Sequence, residues 1–323
     1  MRIFENISPM LLNEIHTPFD SEDYFFEVKL DGARTIAHIS KERVYLQNKR
    51  FVDITDTYPE LKNINKQING ECILDGELVI LDEQGKPIFE GLQKRAHIKA
   101  FHKIKRISQE LPAKFVAFDI LYLNGEDLTS LPMIARRKIL QNILTPDNHI
   151  EISQGIQGKG ISLFNIVKQY NMEGIVAKKI NSPYIIGKRT SHWLKIKNWI
   201  DEDFVIVGIV YKDNEPKDLL LGQYKDNSLV LRASIYFSFN KFCMKTIIDF
   251  AKNNALSSPP YKYSIIDINK DSVQFLEPYL VCTVEYMLLT KNLGMRQPIF
   301  RGLREDKAPK DCLLPKAFYK KII

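Results

Sequence analysis

The chain has 323 residues, 45% hydrophobic and 26% charged, the balance of a folded chain with room for two domains rather than of a disordered one. Lysine and arginine outnumber acidic residues 46 to 39, and the net charge of +7 suits a polyanionic partner without identifying one. The four cysteines form no CxxC pair and the six histidines no HExxH, which sets aside disulfide-stapled and zinc-dependent readings and points to a reducing cytoplasm.

The amino terminus, MRIFENISPM, lacks the apolar core of a signal peptide, and the longest apolar run, 204–211, is too short to span a bilayer. Apolar alternation predicts strands over 24–29, 35–39, 43–46 and 73–81. Between the first two lies Asp31-Gly32, a dipeptide that favours hairpins, so these strands are expected to pair. A helical stretch over 89–107 carries Lys94, Arg95, Lys99, Lys103, Lys105 and Arg106. An apolar strand over 114–123 ends at the turn Asn124-Gly125. Helices are predicted over 134–144 and 162–170, and strands over 174–178 and 193–196. Past 198–203 the texture changes to strands at 204–211, 219–224, 229–235 and 280–289, interrupted by one helix over 241–253. That spacing suits a small, partly open barrel of the oligonucleotide-binding (OB) type. The boundary is expected near residue 201, giving domains 1–200 and 201–323.

Lys29 ends an apolar strand, where burying an ammonium is costly. It opens Lys29-Leu30-Asp31-Gly32-Ala33-Arg34, of the form KxDGxR. The turn is expected to fold Arg34 back onto Lys29, and a neighbouring cation disfavours the ammonium form, freeing an amine nucleophile. A solvated hairpin with a snorkelling lysine is the alternative. Further pieces follow: Asp75-Gly76-Glu77 before an apolar strand, Phe118 inside another, and Glu173 at the start of Glu173-Gly174-Ile175-Val176-Ala177-Lys178. Trp193-Leu194-Lys195-Ile196-Lys197 puts two lysines on one strand face. Their charges repel unless a polyanion such as a triphosphate lies between them.

In this order the pieces resemble the nucleotidyltransferase motifs of ATP-dependent DNA ligases, and the ending Arg296–Lys307 resembles that of the ligase module of bacterial and archaeal end-joining, Ku-associated ligases. The resemblance implies an α+β fold: an adenylation domain of antiparallel sheets and helices, then a C-terminal OB-fold barrel. It implies that Lys29 attacks the α-phosphate of ATP and carries AMP, which passes to the 5′-phosphate of a nick before the 3′-hydroxyl displaces it. Arg34 would contact the ribose or the nick phosphate, Glu77 the ribose hydroxyls, and Phe118 the adenine face; Glu27 would line the base pocket. Glu173, with Glu77, would hold Mg2+, with Mn2+ as a substitute. Lys195 and Lys197 would grip the α-phosphate. Arg304 and Lys307, in the second domain, would orient the leaving pyrophosphate. The expected partners are nicked duplex DNA and Ku, with no membrane, and the expectation is a stand-alone minimal repair ligase acting as a cytoplasmic, nucleoid-associated monomer.

One departure concerns the nick phosphate. Related ligases carry SRNG before a Thr and a PEL, whereas Gln47-Asn48-Lys49-Arg50-Phe51 stands here before Thr55 and Pro59-Glu60-Leu61. The register favours Lys49 and the guanidinium fork favours Arg50. The basic run from Gln93 through Arg106 and the run 136–138 suit contact with the DNA backbone, with a solvated helix face as the alternative and the preferred reading for 136–138. Alternatives left open are an RNA ligase, a capping-type nucleotidyltransferase and a non-catalytic nucleic-acid-binding protein.

Overall fold

The computed structural model describes residues 1–268, 273–289 and 294–321. The chain divides into two compact units, Met1–Asn198 and Trp199–Ile323. Among the described residues no helix is long and apolar enough to cross a membrane.

In the first unit the elements are, in order, β1 (Leu11–Ile15), β2 (Tyr24–Val28), β3 (Ala33–Ile39), β4 (Val44–Asn48), β5 (Cys72–Ile80), α1 (Phe89–Ala96) and α2 (Phe101–Glu110). There follow β6 (Ala113–Leu123), β7 (Glu126–Asp127), α3 (Met133–Ile143), β8 (Ile150–Ile152), β9 (Gly155–Gln157), α4 (Gly160–Gln169), β10 (Gly174–Lys179) and β11 (Arg189–Lys197). They build two sheets, one in the order β1-β11-β10-β2-β9 and one in the order β4-β3-β5-β6-β7, with β8 also paired to β6.

The second sheet is buried on both faces, and the period-two alternation of its strands assigns each side chain to one of two cores. Ala37, Leu74 and Ile120 point into a cluster with Leu92 of α1 and Leu140 of α3. Ile36, Ile73 and Leu121 point the other way and meet Trp193 of the first sheet. Phe26, Ile175 and Ile196 of the first sheet pack with Val167 of α4.

Two sequence expectations fail here. β2 and β3 do not form a hairpin: β2 pairs with β10 and β9, and β3 with β4 and β5. Asp31-Gly32 is a crossover between the sheets. Gly32 is needed for close approach, since a Cβ there would lie 2.2 Å from the Leu78 carbonyl oxygen. The predicted helix over 89–107 is two helices, broken where Ala100 is extended at φ −74°, ψ 123°. No Gly or Pro marks that break.

In the second unit the elements are β12 (Ile200–Lys212), β13 (Glu215–Lys225), β14 (Ser228–Tyr236), α5 (Lys241–Asn253), β15 (Ala255–Leu256), β16 (Tyr263–Ser264), β17 (Val273–Leu276), β18 (Val281–Tyr286) and β19 (Ile299–Leu303). β12, β13 and β14 form a meander. On its other flank β12 pairs first with β18 and then with β17. The Asn240 side chain caps α5 by accepting a hydrogen bond from the Phe242 amide at 2.8 Å. The helix then lays Ile247 and Ala251 on Phe204, Ile206 and Leu221, while Val205, Val207 and Leu220 feed a second cluster on the opposite face.

Candidate active site

Lys29 lies one residue beyond β2, and its amide donates to the Gly174 carbonyl at 2.9 Å. Its Nζ stands 2.9 Å from Glu173 Oε1, with 23% of the lysine side chain exposed and 9% of the glutamate. The lysine's anchor is therefore a carboxylate. Arg34, expected to press on Lys29, has its guanidinium bound to a carboxylate of its own. Its Nε and Nη2 donate to both oxygens of buried Asp75 at 2.7 and 2.6 Å, and Nη2 also to the Met10 carbonyl at 3.1 Å. Burial works against that charge, but Asp75 overrides it and holds the guanidinium above its ordinary pKa. Tyr184 completes the arrangement, its hydroxyl donating to Asp75 Oδ2 at 2.6 Å and accepting from the Met10 amide at 2.9 Å.

Lys29, Glu27, Arg34, Glu77 and Phe118 line one pocket, together with Ser153, Lys178 and Trp193. Glu77 stands opposite Arg34 on the neighbouring strand. Burial pushes its carboxyl up to about 8, against the pull of Lys29 and Arg34, so near neutrality it carries a proton and can donate a hydrogen bond. Phe118 is flanked by cations: the Arg34 guanidinium lies 4.8 Å and Lys178 Nζ 4.4 Å from its ring centroid.

Glu27 lines this pocket, yet its carboxylate is already well bonded. Arg137 Nη1 donates to it at 2.8 Å, Ser153 Oγ at 2.6 Å and Lys178 Nζ at 2.5 Å. Lys178 Nζ also donates to the Phe118 carbonyl at 3.1 Å. Burial lowers the Lys178 pKa, and Glu27 opposes that. The reading of 136–138 as a solvated face is thus overturned for two of three residues. Arg136 is fully buried and forks onto Asp119 at 2.8 Å through both Nε and Nη2, and Arg137 is 6% exposed. Arg95, read as part of a DNA-facing run, is also fully buried, with its guanidinium held by Glu60 and by the carbonyls of Thr57 and Leu111.

Lys195 and Lys197 lie across β10 from Glu27 and Lys29. Val176 stands opposite both Glu27 and Lys195, and Gly174 opposite Lys197, so the four side chains share a sheet face. Gly174 keeps the gap open; a Cβ there would meet the Ile196 carbonyl at 2.2 Å, and its φ is +150°. Between the two ammonium groups sits Glu14 of β1, 2.9 Å from Lys195 and 3.4 Å from Lys197. Burial pushes the Glu14 carboxyl up, and the lysines outweigh it, holding it below the usual range.

Lys49 and Arg50 are exposed on the turn after β4. Asn48 Oδ1 accepts from the Arg50 and Val52 amides at 2.8 and 3.0 Å, and Phe51 sits at φ 61°. Arg304 and Lys307 belong to the second unit. Lys307 Nζ donates to Asp203 at 2.6 Å, and Arg304 forks onto Asp306 at 2.7 and 2.8 Å while reaching Asp203 at 3.5 Å.

Glu14, Asp75, Arg137, Ser153, Lys178 and Tyr184 were not singled out as site residues from the sequence. For Lys178 the signal was present: a lysine closing an apolar strand, as at Lys29. For the others the partners are distant in the chain, Arg137 lying 110 residues from Glu27.

Among the described residues no group of three or more His, Cys, Asp or Glu could enclose a metal ion. A hard cation that takes one or two carboxylates and completes its shell with phosphate oxygens and water does not need one. Glu173, beside Lys29, fits that role. Glu77 fits it less well, because burial keeps its carboxyl protonated.

The sequence matches the family described as "ATP dependent DNA ligase domain" over residues 9–197 and "ATP dependent DNA ligase C terminal region" over 212–307. It is 30% identical over 299 residues to the SPbeta prophage-derived DNA ligase-like protein LigB of Bacillus subtilis (strain 168), covering 92% of this chain and 99% of that protein. It is 29% identical over 315 residues to the multifunctional non-homologous end joining protein LigD of Mycolicibacterium smegmatis, covering 96% of this chain but only 40% of the relative. The structure of mycobacterial DNA ligase D complexed with ATP and MES superposes with a TM-score of 0.54 at 25% identity, over 97% of this chain and 99% of that one. A structure of the minimal Lig E DNA ligases shares the fold, at a TM-score of 0.60 and 16% identity over 92% of this chain and 99% of that one.

Proposed function

The chain belongs to the ATP-dependent DNA ligase family, and from that premise we propose that Lys29 is its adenylation nucleophile. As an ATP-dependent DNA ligase with a nucleotidyltransferase domain and a C-terminal OB-fold domain, it joins DNA strands. The RNA-ligase, capping-type and non-catalytic readings are not favoured. The observation that carries the assignment is the Lys29–Glu173 pair at the mouth of a pocket holding Phe118 and Glu77.

Lys29 Nζ attacks the α-phosphorus, a P–N bond forms, and the bond to the bridging oxygen of pyrophosphate breaks. Attack needs the neutral amine, so the ion pair to Glu173 is a resting arrangement that opens before the bond forms. Adenine lies against Phe118, whose apolar strand offers a π-face. Glu77, protonated by burial, bonds the ribose hydroxyls. Lys195 and Lys197 exchange Glu14 for α-phosphate oxygens and hold the charge that builds there. Arg34, fixed by Asp75, borders the sugar. Glu173 would hold Mg2+, or Mn2+ in its place, and a bound divalent cation would neutralise phosphate charge. The AMP then passes to a nick 5′-phosphate held by Lys49 or Arg50, and the 3′-hydroxyl displaces it. Arg304 and Lys307 orient the pyrophosphate in the first step.

The end-joining relatives support a role in DNA repair; Ku as a partner and a monomeric ligase are proposed from the sequence resemblance alone. The chain spans 40% of the LigD relative and 99% of the LigB relative.

The test is sealing of a labelled nicked duplex by wild type and by Lys29→Ala, with intact mass read after ATP alone. Wild type gains one AMP and seals, and the variant does neither. Uptake of AMP by Lys29→Ala would remove the assignment. Uptake by wild type without sealing of DNA would move the substrate to RNA.

A further inference from the structure

The Glu27 carboxylate is buried at the wall of the pocket, and its donors are unevenly shared. Arg137 Nη1 at 2.8 Å and Ser153 Oγ at 2.6 Å both take Oε1, whereas Lys178 Nζ alone takes Oε2 at 2.5 Å. A carboxylate offers about four lone-pair sites, so one remains open, on Oε2. An ionised carboxylate accepts hydrogen bonds and donates none. The open site therefore suits a ligand that brings an N–H and opposes one that brings a carbonyl oxygen.

Arg137 is the residue that gathers this arrangement. Besides Glu27, it donates from Nη2 to the Ser153 carbonyl at 2.6 Å, and its guanidinium carbon lies 4.2 Å from the centroid of the Phe25 ring on β2. Ser153 follows β8 of one sheet, and its amide donates to the Ala117 carbonyl at 2.8 Å. Two residues on, Gly155 opens β9 of the other sheet, directly opposite Glu27. The guanidinium thus ties the crossover between the sheets to the strand that carries Glu27. Glu27 and Ser153 line the pocket and the buried Arg137 does not, so Arg137 reaches a ligand only through them. Without it Glu27 would keep Lys178, which is itself shared with the Phe118 carbonyl at 3.1 Å.

We propose that Arg137, with Ser153, is a positioning residue for the choice of nucleobase. It fixes the Glu27 carboxylate so that the open lone pair on Oε2 takes the 6-amino group of adenine. A purine with an oxygen at that position sets acceptor against acceptor, and one with neither leaves a buried acceptor unpaired. This rests on Glu27 lining the base pocket. It goes beyond that reading in placing the choice of base in a guanidinium that the base never touches, supplied by a helix 110 residues further along the chain.

The test is nucleotidylation of the full chain by ATP, by inosine triphosphate, which carries oxygen in place of the amino group, and by purine riboside triphosphate, which carries neither. Wild type is compared with Arg137→Met, Arg137→Lys, Ser153→Ala and Glu27→Gln by the ratio of kcat/KM for ATP to that for each analogue. Wild type is expected to favour ATP over both. Arg137→Met is expected to lower the ratio of ATP to inosine triphosphate by about ten-fold, chiefly through KM for ATP, and Arg137→Lys to recover part of that loss. Ser153→Ala, which keeps the guanidinium, is expected to lower it by about three-fold. An arginine that only props up the fold would slow all three nucleotides together, so an unchanged ratio in Arg137→Met would overturn the proposal. Should Arg137→Met fail to fold, Ser153→Ala decides by the same ratio. Glu27→Gln separates the proposal from its premise. If only Glu27→Gln changes the ratio, the base-pocket reading stands and the positioning role is lost. If Glu27→Gln leaves the ratio at its wild-type value, both are lost.

Discussion

The Lys195 ammonium sits 2.9 Å from the Glu14 carboxylate on the neighbouring strand, with Lys197 at 3.4 Å on the same oxygen. Two like charges that the sequence sets side by side are thus held in place by an anion. If Lys195 and Lys197 hold the α-phosphate as proposed, ATP competes with Glu14 for them. Glu14→Gln is expected to lower KM for ATP in the adenylation step by less than ten-fold. A higher KM would mean that Glu14 orders the lysines more than it occupies them.

Glu77 gives a pH signature. Its folded pKa is raised by burial to about 8, against an unfolded value of 4.5. Between those values the folded chain holds a proton that the unfolded chain has released, so its contribution to stability is complete below 4.5 and is lost as pH rises through 8. Glu77→Gln keeps the neutral amide shape without titrating. Melting curves across this window are expected to fall more steeply with pH for wild type than for the variant. Parallel curves would show that the carboxyl is charged throughout.

Arg136 and Asp119 are both buried and joined by two bonds of 2.8 Å. Removing one partner strands the other charge. Asp119→Ala is therefore expected to cost about 3–5 kcal/mol in denaturant unfolding of the chain. Lys138→Ala, on the exposed neighbour, is expected to stay within about 0.5 kcal/mol. Equal effects would contradict the burial pattern.

Lys307 and Arg304 share Asp203, whose carboxyl is pushed up by burial and drawn below its ordinary range by Lys307, Thr283 and Arg304. If the two cations act on the leaving pyrophosphate, Arg304→Ala slows adenylation by ATP at least ten-fold and leaves sealing of a pre-adenylated nick within about two-fold, the split expected of a group that acts only in the first transition state. Loss of both steps together would place Arg304 on the DNA instead.

Much of the strand content was legible because alternation marks strands whose two faces meet different cores, as at Ile36 and Ala37 of β3. The pairing was less legible. Asp31-Gly32 carries a hairpin signal, yet Gly32 serves a 2.2 Å approach to Leu78 that no local pattern encodes. The charges at 94–106 and 136–138 look alike in sequence, and burial separates them. Arg95 finds Glu60 35 residues away and Arg136 finds Asp119 17 residues away, whereas the exposed lysines of α1 and α2 find no such partner among the described residues. A carboxylate waiting elsewhere in the chain is the missing information.

The pairing of β1 with β11 couples Leu11 to Arg189, and the β2 strand that leads to Lys29 is flanked only by β10 and β9. During synthesis at about 5–20 residues per second, β2 therefore leaves the ribosome on the order of ten seconds before the last strand of its sheet. For the greater part of that interval Glu27 has none of its three bonded partners, which lie 110, 126 and 151 residues further on, at 137, 153 and 178. The sheet that bears Lys29 closes late, from contacts distant in the chain, and such closure is slow. A nascent chain halted before β9 exposes both edges of β2, so holdase chaperones have a target there that the finished protein no longer offers.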